Sequence, residues 1–277
     1  MAEQNRRNLD SSQILLERAL RVIPGGAQTF SKSRLQYVEH AAPLFLARGE
    51  GAKVWDVDGN TYVDFVSGLG ALSLGYAHPE VDRAAREQMQ SGVAFSLPTE
   101  LEVEVAERLV ELIPCAEMVR FGKNGSDATA GAIRLARAYS GRERVACCGY
   151  HGWQDWYIGA TTRNLGIPGA VSDLTSRFPY NDLEALEALL NDHRGEFAAV
   201  ILEPVALTSP KPGYLEGVKR LAHEHGALLV FDEVVTGFRF DLRGAQHLFG
   251  VTPDLACFGK AMANGYPLSA LVGRREI

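Results

Sequence analysis

Apolar positions along this chain follow two alternating rhythms. Short, mainly apolar segments near 119–121, 144–148, 199–203, 227–232 and 255–258 predict strands. Between them the spacing is helical. Leu101, Val105, Leu109 and Leu112 form one stripe, and Ile133, Leu135 and Ala136 lie in a second helix over 126–139. Leu183, Leu186, Leu189 and Leu190 mark a third helix, and a fourth covers about 214–225. Thr99 with Glu102 and Asn181 with Glu184 read as capping boxes, and Gly226 as a C-cap. This alternation predicts an α/β fold, a mostly parallel sheet sandwiched by helices.

The N-terminal part has a different pattern. Residues 1–22 read as a polar arm and an amphipathic helix carrying Ile14, Leu15, Leu20 and Val22, stopped by Pro24-Gly25-Gly26. Residues 44–66 alternate, with a hairpin turn at Asp58-Gly59. Asp56-Val57-Asp58-Gly59-Asn60 lacks the remaining ligand positions of a calcium loop, so the hairpin is the better reading. Gly68-Leu69-Gly70 is half a dinucleotide fingerprint with no third glycine, and reads as a glycine-rich turn. The division predicted is an N-terminal arm and small-domain segment with a β-hairpin over 1–75, and a large α/β domain over 76–277.

The chain has 277 residues, 46% of them hydrophobic, enough for one large core or one large and one small domain. Its net charge is −6 and no basic stripe appears, which argues against nucleic acid as a partner. No run approaches a membrane span. The four cysteines show no metal spacing and read as reduced thiols of a cytoplasmic protein. His223 and His225 flank Glu224 on different helix faces, so a solvated helix end is favoured over a metal site. No metal is predicted.

Candidate chemistry sits at the strand ends, where open α/β sheets bind ligands. Leu255-Ala256-Cys257-Phe258 delivers Lys260 through Gly259 into a turn of small residues, a setting that suits a partly desolvated, nucleophilic amine. A surface lysine on a loop would share this local sequence. Asp232 closes an apolar run, where it can pair with a cationic ring nitrogen or serve as a turn aspartate. Asn124-Gly125-Ser126-Asp127 opens a helix, which offers amides to a phosphate or a simple cap by Ser126 or Asp127. Together, a phosphate cradle, a strand-end carboxylate and a reactive lysine match pyridoxal 5′-phosphate (PLP).

With those segments in place, the chain resembles the class III aminotransferases, of PLP fold type I. It looks closest to the branch of glutamate-1-semialdehyde 2,1-aminomutase-like proteins. The resemblance rests on Asp56-Val57-Asp58-Gly59-Asn60, Gly75-Tyr76-Ala77-His78-Pro79, Asn124-Gly125-Ser126-Asp127-Ala128, Tyr150-His151-Gly152, Glu203-Pro204, Asp232-Glu233-Val234 and Gly259-Lys260, in the family's order. It implies that Lys260 forms the Schiff base and shuttles protons. Asp232 would hold the pyridine nitrogen protonated, Val234 and Tyr150 would pack on opposite faces of the ring, and Gly125, Ser126 and Asp127 would hold the phosphate. Glu203 and His151 would belong to the supporting shell. A small-molecule amino donor, a carbonyl acceptor and a homodimer are implied as partners.

Some segments depart from the family pattern. Ala206-Leu207-Thr208 stands where many relatives carry a polar amide, and Trp153-Gln154-Asp155-Trp156-Tyr157 replaces the aminomutase's more glycine-rich stretch. These favour an aminotransferase, with the aminomutase as the alternative. The chain stops seventeen residues after Lys260, whereas the family continues, so a missing C-terminal lobe and an inactive truncated fragment form a further alternative. Arg239 is a candidate carboxylate binder, set against a solvated or ion-paired arginine. A nucleotide-binding Rossmann protein is disfavoured by the absence of a Gly-x-Gly-x-x-Gly opening.

Overall fold

Ten strands form two separate sheets among the described residues. They are seen in a computed structural model that describes residues 7–38 and 41–277. Residues 1–6 and 39–40 of the 1–75 segment lie outside the described residues. The chain divides into two compact units, Met1–Ala94 and Phe95–Ile277.

In the first unit, β1 (Leu46–Glu50), β2 (Lys53–Asp56) and β3 (Thr61–Val63) form an antiparallel sheet. The Asp56–Asn60 motif is a fastener. Asp56 accepts the amides of Asp58 and Asn60, the side-chain amide of Asn60 and the Tyr62 hydroxyl. Asp58 accepts the Ser11 and Ser12 amides and the Ser12 hydroxyl, and so anchors the start of the Asp10–Val22 helix. Ser12 and Ala19 are that helix's buried residues, while Ile14 and Val22 of the expected apolar stripe are exposed. The Gly68-Leu69-Gly70 turn is one turn of left-handed helix: Ser67, Gly68, Leu69 and Gly70 all have positive φ. Ser67 and Leu69 each pay a steric penalty there of roughly 1–2 kcal/mol. The Asp64 carboxylate helps hold this turn through the Val66 and Gly68 amides and the Tyr76 hydroxyl.

The second unit is a seven-stranded sheet in the order β4-β10-β9-β8-β7-β5-β6. The strands are β4 (Met118–Gly122), β5 (Arg144–Cys148), β6 (Thr175–Arg177), β7 (Phe197–Leu202), β8 (Leu228–Asp232), β9 (Leu255–Phe258) and β10 (Ser269–Gly273). Strands β9, β8, β7, β5 and β6 are parallel, and β10 lies antiparallel between β4 and β9. Two apolar clusters flank the sheet. One centres on Leu186, Leu215, Val218 and Phe231, the other on Ile133, Ala136, Ile201 and Val230. Every residue of β7, β8, β9 and β10 is buried, as sheet strands covered on both faces require.

The helix Glu100–Leu112 carries the Thr99–Glu102 capping box. The Tyr214–Glu224 helix is followed by Gly226 in the left-handed region. The third expected cap is corrected by one residue. Asp182 caps Leu183–Asp192 by accepting the Ala185 amide at 2.9 Å. Asn181 instead accepts the Lys211 amide at 2.8 Å and bridges two loops. His223 does not end in solvent alone, since its Nε2 lies 2.8 Å from the buried Asp254 carboxylate.

Candidate active site

The parallel strands all point one way, so the loops after β4, β5, β7, β8 and β9 converge at one edge. After β9, Gly259 leads into Lys260, which opens a short 3-10 turn with φ 43°. A non-glycine residue there is strained by about 1–3 kcal/mol and persists because its surroundings hold it. Burial lowers the Lys260 amine below its ordinary pKa, and the Arg239 charge adds to this; Asp232 and Glu203 work in the other direction.

Asp232 ends β8 and is 3% exposed. Its Oδ1 accepts the Val234 amide at 3.1 Å, and its Oδ2 lies 2.8 Å from His151 Nδ1. The other ring nitrogen, Nε2, lies 3.1 Å from the Cys148 carbonyl oxygen. The imidazole of His151 is thus held at both ring nitrogens, by Asp232 and by the backbone of Cys148, at the base of the site. The His151 ring is locked between the stacked Trp156 ring at 6.1 Å and the edge of Tyr157 at 5.2 Å. Trp156 and Tyr157 are therefore core residues, whereas Trp153 is exposed.

Glu203 follows β7 and accepts the Tyr150 amide at 2.9 Å. Burial raises its carboxyl pKa. Gly149, at φ 112°, is what lets the carboxylate approach, because a Cβ there would meet Glu203 Cγ at 3.1 Å. The Tyr150 ring stands exposed at this edge, in a T-shaped contact with Tyr157 at 5.8 Å.

After β4, Asn124 caps the Gly125–Ser140 helix. Asp127 closes a capping box, with its Oδ2 accepting the Lys123 and Asn124 amides at 2.9 and 3.0 Å. The Asp127 amide is itself used by Asn124 Oδ1 at 3.1 Å. Among the described residues, the Gly125 and Ser126 amides have no acceptor, so they remain the helix-start donors available to an anion. A Cβ on Gly125 would lie 2.8 Å from Val234, and one on Gly259 would lie 3.5 Å from it and 3.8 Å from Gly125. Two bare glycines and one valine side chain thus bring the ends of β4, β8 and β9 together.

All nine residues singled out from the sequence fall in this region. Two further residues, Thr129 and the Gly152 of the Tyr150-His151-Gly152 motif, take part in the packing of the site. Thr129 donates to the His151 carbonyl at 2.9 Å and ties the helix to the loop after β5. Gly152 packs on Ser126 with no room for a side chain. The sequence reading offered Ser126 or Asp127 as the cap of this helix; the N-cap is Asn124, and Asp127 closes the box at the third helical position. No cluster able to hold a metal ion occurs among the described residues.

Residues 36–277 match the family model described as aminotransferase class III. The 3-aminobutyryl-CoA aminotransferase of Cloacimonas acidaminovorans is 44% identical over 97% of this chain and 66% of its own length. The glutamate-1-semialdehyde 2,1-aminomutase of Roseiflexus castenholzii is 47% identical over 96% of this chain and 64% of its own. The solved structure of the PLP internal aldimine form of Sphingopyxis sp. MTA144 FumI protein superposes with a TM-score of 0.90 at 35% identity, over 98% of this chain and 65% of that one. The chain therefore spans about two thirds of the length of the relatives it matches. The fold is that of the fold type I transaminases, and the chain belongs to the class III aminotransferase family.

Proposed function

We propose that this chain carries the cofactor site of a PLP-dependent aminotransferase, which moves an amino group from a small-molecule amine donor to a carbonyl acceptor. The observation that carries the proposal is Lys260: an amine whose pKa is lowered by burial, at a strand end, beside a fixed carboxylate. The residues present fit PLP. The Gly125 and Ser126 amides and the Ser126 hydroxyl would hold the phosphate, with Asp127 keeping the helix start in shape. Val234 and Tyr150 would flank the ring, and Asp232 would face its nitrogen. When bound, the cofactor supplies an aldehyde that condenses with amines and a ring that spreads the charge left by a lost proton.

The rest of the chemistry falls to the chain. Lys260 Nζ would hold the cofactor's aldehyde and, when free, would remove and return protons at substrate carbon. Partial desolvation keeps a larger neutral fraction of this amine than an exposed lysine would have. Asp232 stays oriented through both oxygens, by the Val234 amide and by His151, so its carboxylate would be fixed where it could face a protonated ring nitrogen. Glu203 fixes the backbone of Tyr150, so the ring keeps its place.

The identity to aminomutases supports a second reading, in which one substrate both gives and receives the amino group. Product analysis with and without an added carbonyl acceptor separates the two. Turnover that requires the acceptor supports the aminotransferase; isomerised product without it supports the aminomutase. In either case Lys260→Ala is expected to abolish turnover, and persistent turnover would contradict the role given to the lysine. We also propose a homodimer for the whole protein and a cytoplasmic location. The exposed Leu35, Val38, Phe65 and Val93 support self-association, and four buried free thiols suit a reducing compartment.

A further inference from the structure

The loop after β5 carries Tyr150 and His151, and side chains alone tie it down. Among the described residues, no backbone–backbone hydrogen bond reaches residues 149–153. The Glu203 carboxylate accepts the Tyr150 amide at 2.9 Å, and the Tyr157 hydroxyl donates to the Gly149 carbonyl at 2.8 Å. The third tie is Thr129, whose hydroxyl donates to the His151 carbonyl at 2.9 Å. It brings in the Gly125–Ser140 helix, whose first amides stand open to an anion.

Thr129 has a second acceptor within its own helix, the Ser126 carbonyl at 3.3 Å. A hydroxyl has one proton to donate. The shorter contact goes to His151, so the bond that a helical threonine commonly makes to the preceding turn is the weaker of the two. Thr129 is 1% exposed and His151 2% exposed, so water does not replace either partner. A buried carbonyl that loses its donor leaves the loop to move until it finds another. Close by, Gly152 at φ 105° packs on Ser126 with no room for a side chain. The His151 backbone is thus fixed to the helix, while its ring is fixed to Asp232 at 2.8 Å and to the Cys148 carbonyl at 3.1 Å.

We propose that Thr129 is a positioning residue, whose hydroxyl sets the loop after β5 so that His151 meets Asp232 and Tyr150 faces the cofactor ring. This deepens the cofactor-site reading above and rests on it for the ring. Groups that face a cofactor keep their geometry only when the residues behind them are themselves held by hydrogen bonds and packing. Thr129 touches neither cofactor nor substrate in this account. It acts through His151.

The test compares the full chain as wild type, Thr129→Ser, Thr129→Val and Thr129→Ala, first without cofactor. The ring-nitrogen NMR signals of His151 are recorded in the native state, with Asp232→Asn as the reference for a lost contact. A mere loss of stability leaves native signals where they are, whereas a displaced loop moves them. Thr129→Ser keeps the hydroxyl and is expected to match wild type. Thr129→Val and Thr129→Ala are expected to move the His151 signals towards those of Asp232→Asn. Unmoved signals in both, or a shift in Thr129→Ser as large as theirs, would overturn the proposal. PLP is then added, and its half-saturating concentration is read from the visible band. Thr129→Val is expected to raise it about 3- to 10-fold, the worth of one hydrogen bond, with Thr129→Ser again near wild type. An unchanged value in Thr129→Val would overturn the link to the cofactor ring. A wild-type chain that takes up no PLP on Lys260, with the Thr129-dependent shift of His151 intact, would sustain the positioning of His151 on Asp232 and count against the cofactor-site reading alone.

Discussion

Lys260 is the residue on which the chemistry turns, and its environment makes a direct prediction. Burial is the main reason its amine lies below the ordinary value of 10.5. The neutral amine therefore appears at lower pH in the folded chain than in the unfolded one. The stability linked to that shift is fully present above the unfolded value and is lost as pH falls through the folded value. Competitive acylation with limiting acetic anhydride, read by peptide mass spectrometry, should give Lys260 a midpoint below 10.5 in the native chain and an ordinary one in denaturant. A native midpoint at or above 10.5 would contradict the desolvated site. Lys260 and Asp232 were legible in the sequence because each ends an apolar run, and burial of the run fixes where the polar residue must emerge. The contact of Asp232 with His151 was not legible. The two residues are 81 positions apart, and only the pairing of strands β5, β7 and β8 brings them together.

At the level of elements, apolar rhythm located the long helices and the central strands, and caps located most helix ends. The error at Asn181 is instructive. Asn-x-x-Glu and Asp-x-x-Ala both begin there, and local sequence favoured the first. Tertiary structure decided otherwise, because Asn181 at φ 63° is committed to the loop at Lys211. Asp182→Ala should therefore lower stability by about 1 kcal/mol in a urea titration, the usual loss of an N-cap. Asn181→Gly should keep the cap and relieve the positive φ, while losing the bridge to Lys211. A larger loss of Leu183–Asp192 amide protection in Asn181→Gly than in Asp182→Ala would reverse this assignment. Strands β6 and β10 were not anticipated. Thr175–Arg177 is short and polar, with no period to detect, and Ser269–Gly273 becomes a strand through antiparallel pairing with both β4 and β9, a non-local arrangement.

For the molecule as a whole, the order of strands explains why five loops from distant parts of the chain meet at one edge. Strand–helix alternation predicted a parallel sheet, and a parallel sheet collects its functional residues at the carboxyl ends. The inserted antiparallel β10 leaves that collection intact, since β4 and β9 still run the same way. In the N-terminal unit the pattern misled. Ile14 and Val22 follow helical spacing yet are exposed, because Asp58 and the buried Ser12 and Ala19 set how that helix sits. Periodicity finds an amphipathic helix but not what covers it. The measurement closest to the central claim is reductive labelling. The chain is mixed with PLP, treated with borohydride, digested, and the modified peptide is mapped. The account predicts a visible absorbance band lost on reduction and a single label on Lys260, absent in Lys260→Ala. A folded chain that gives no band, or carries its label on another lysine, would contradict it.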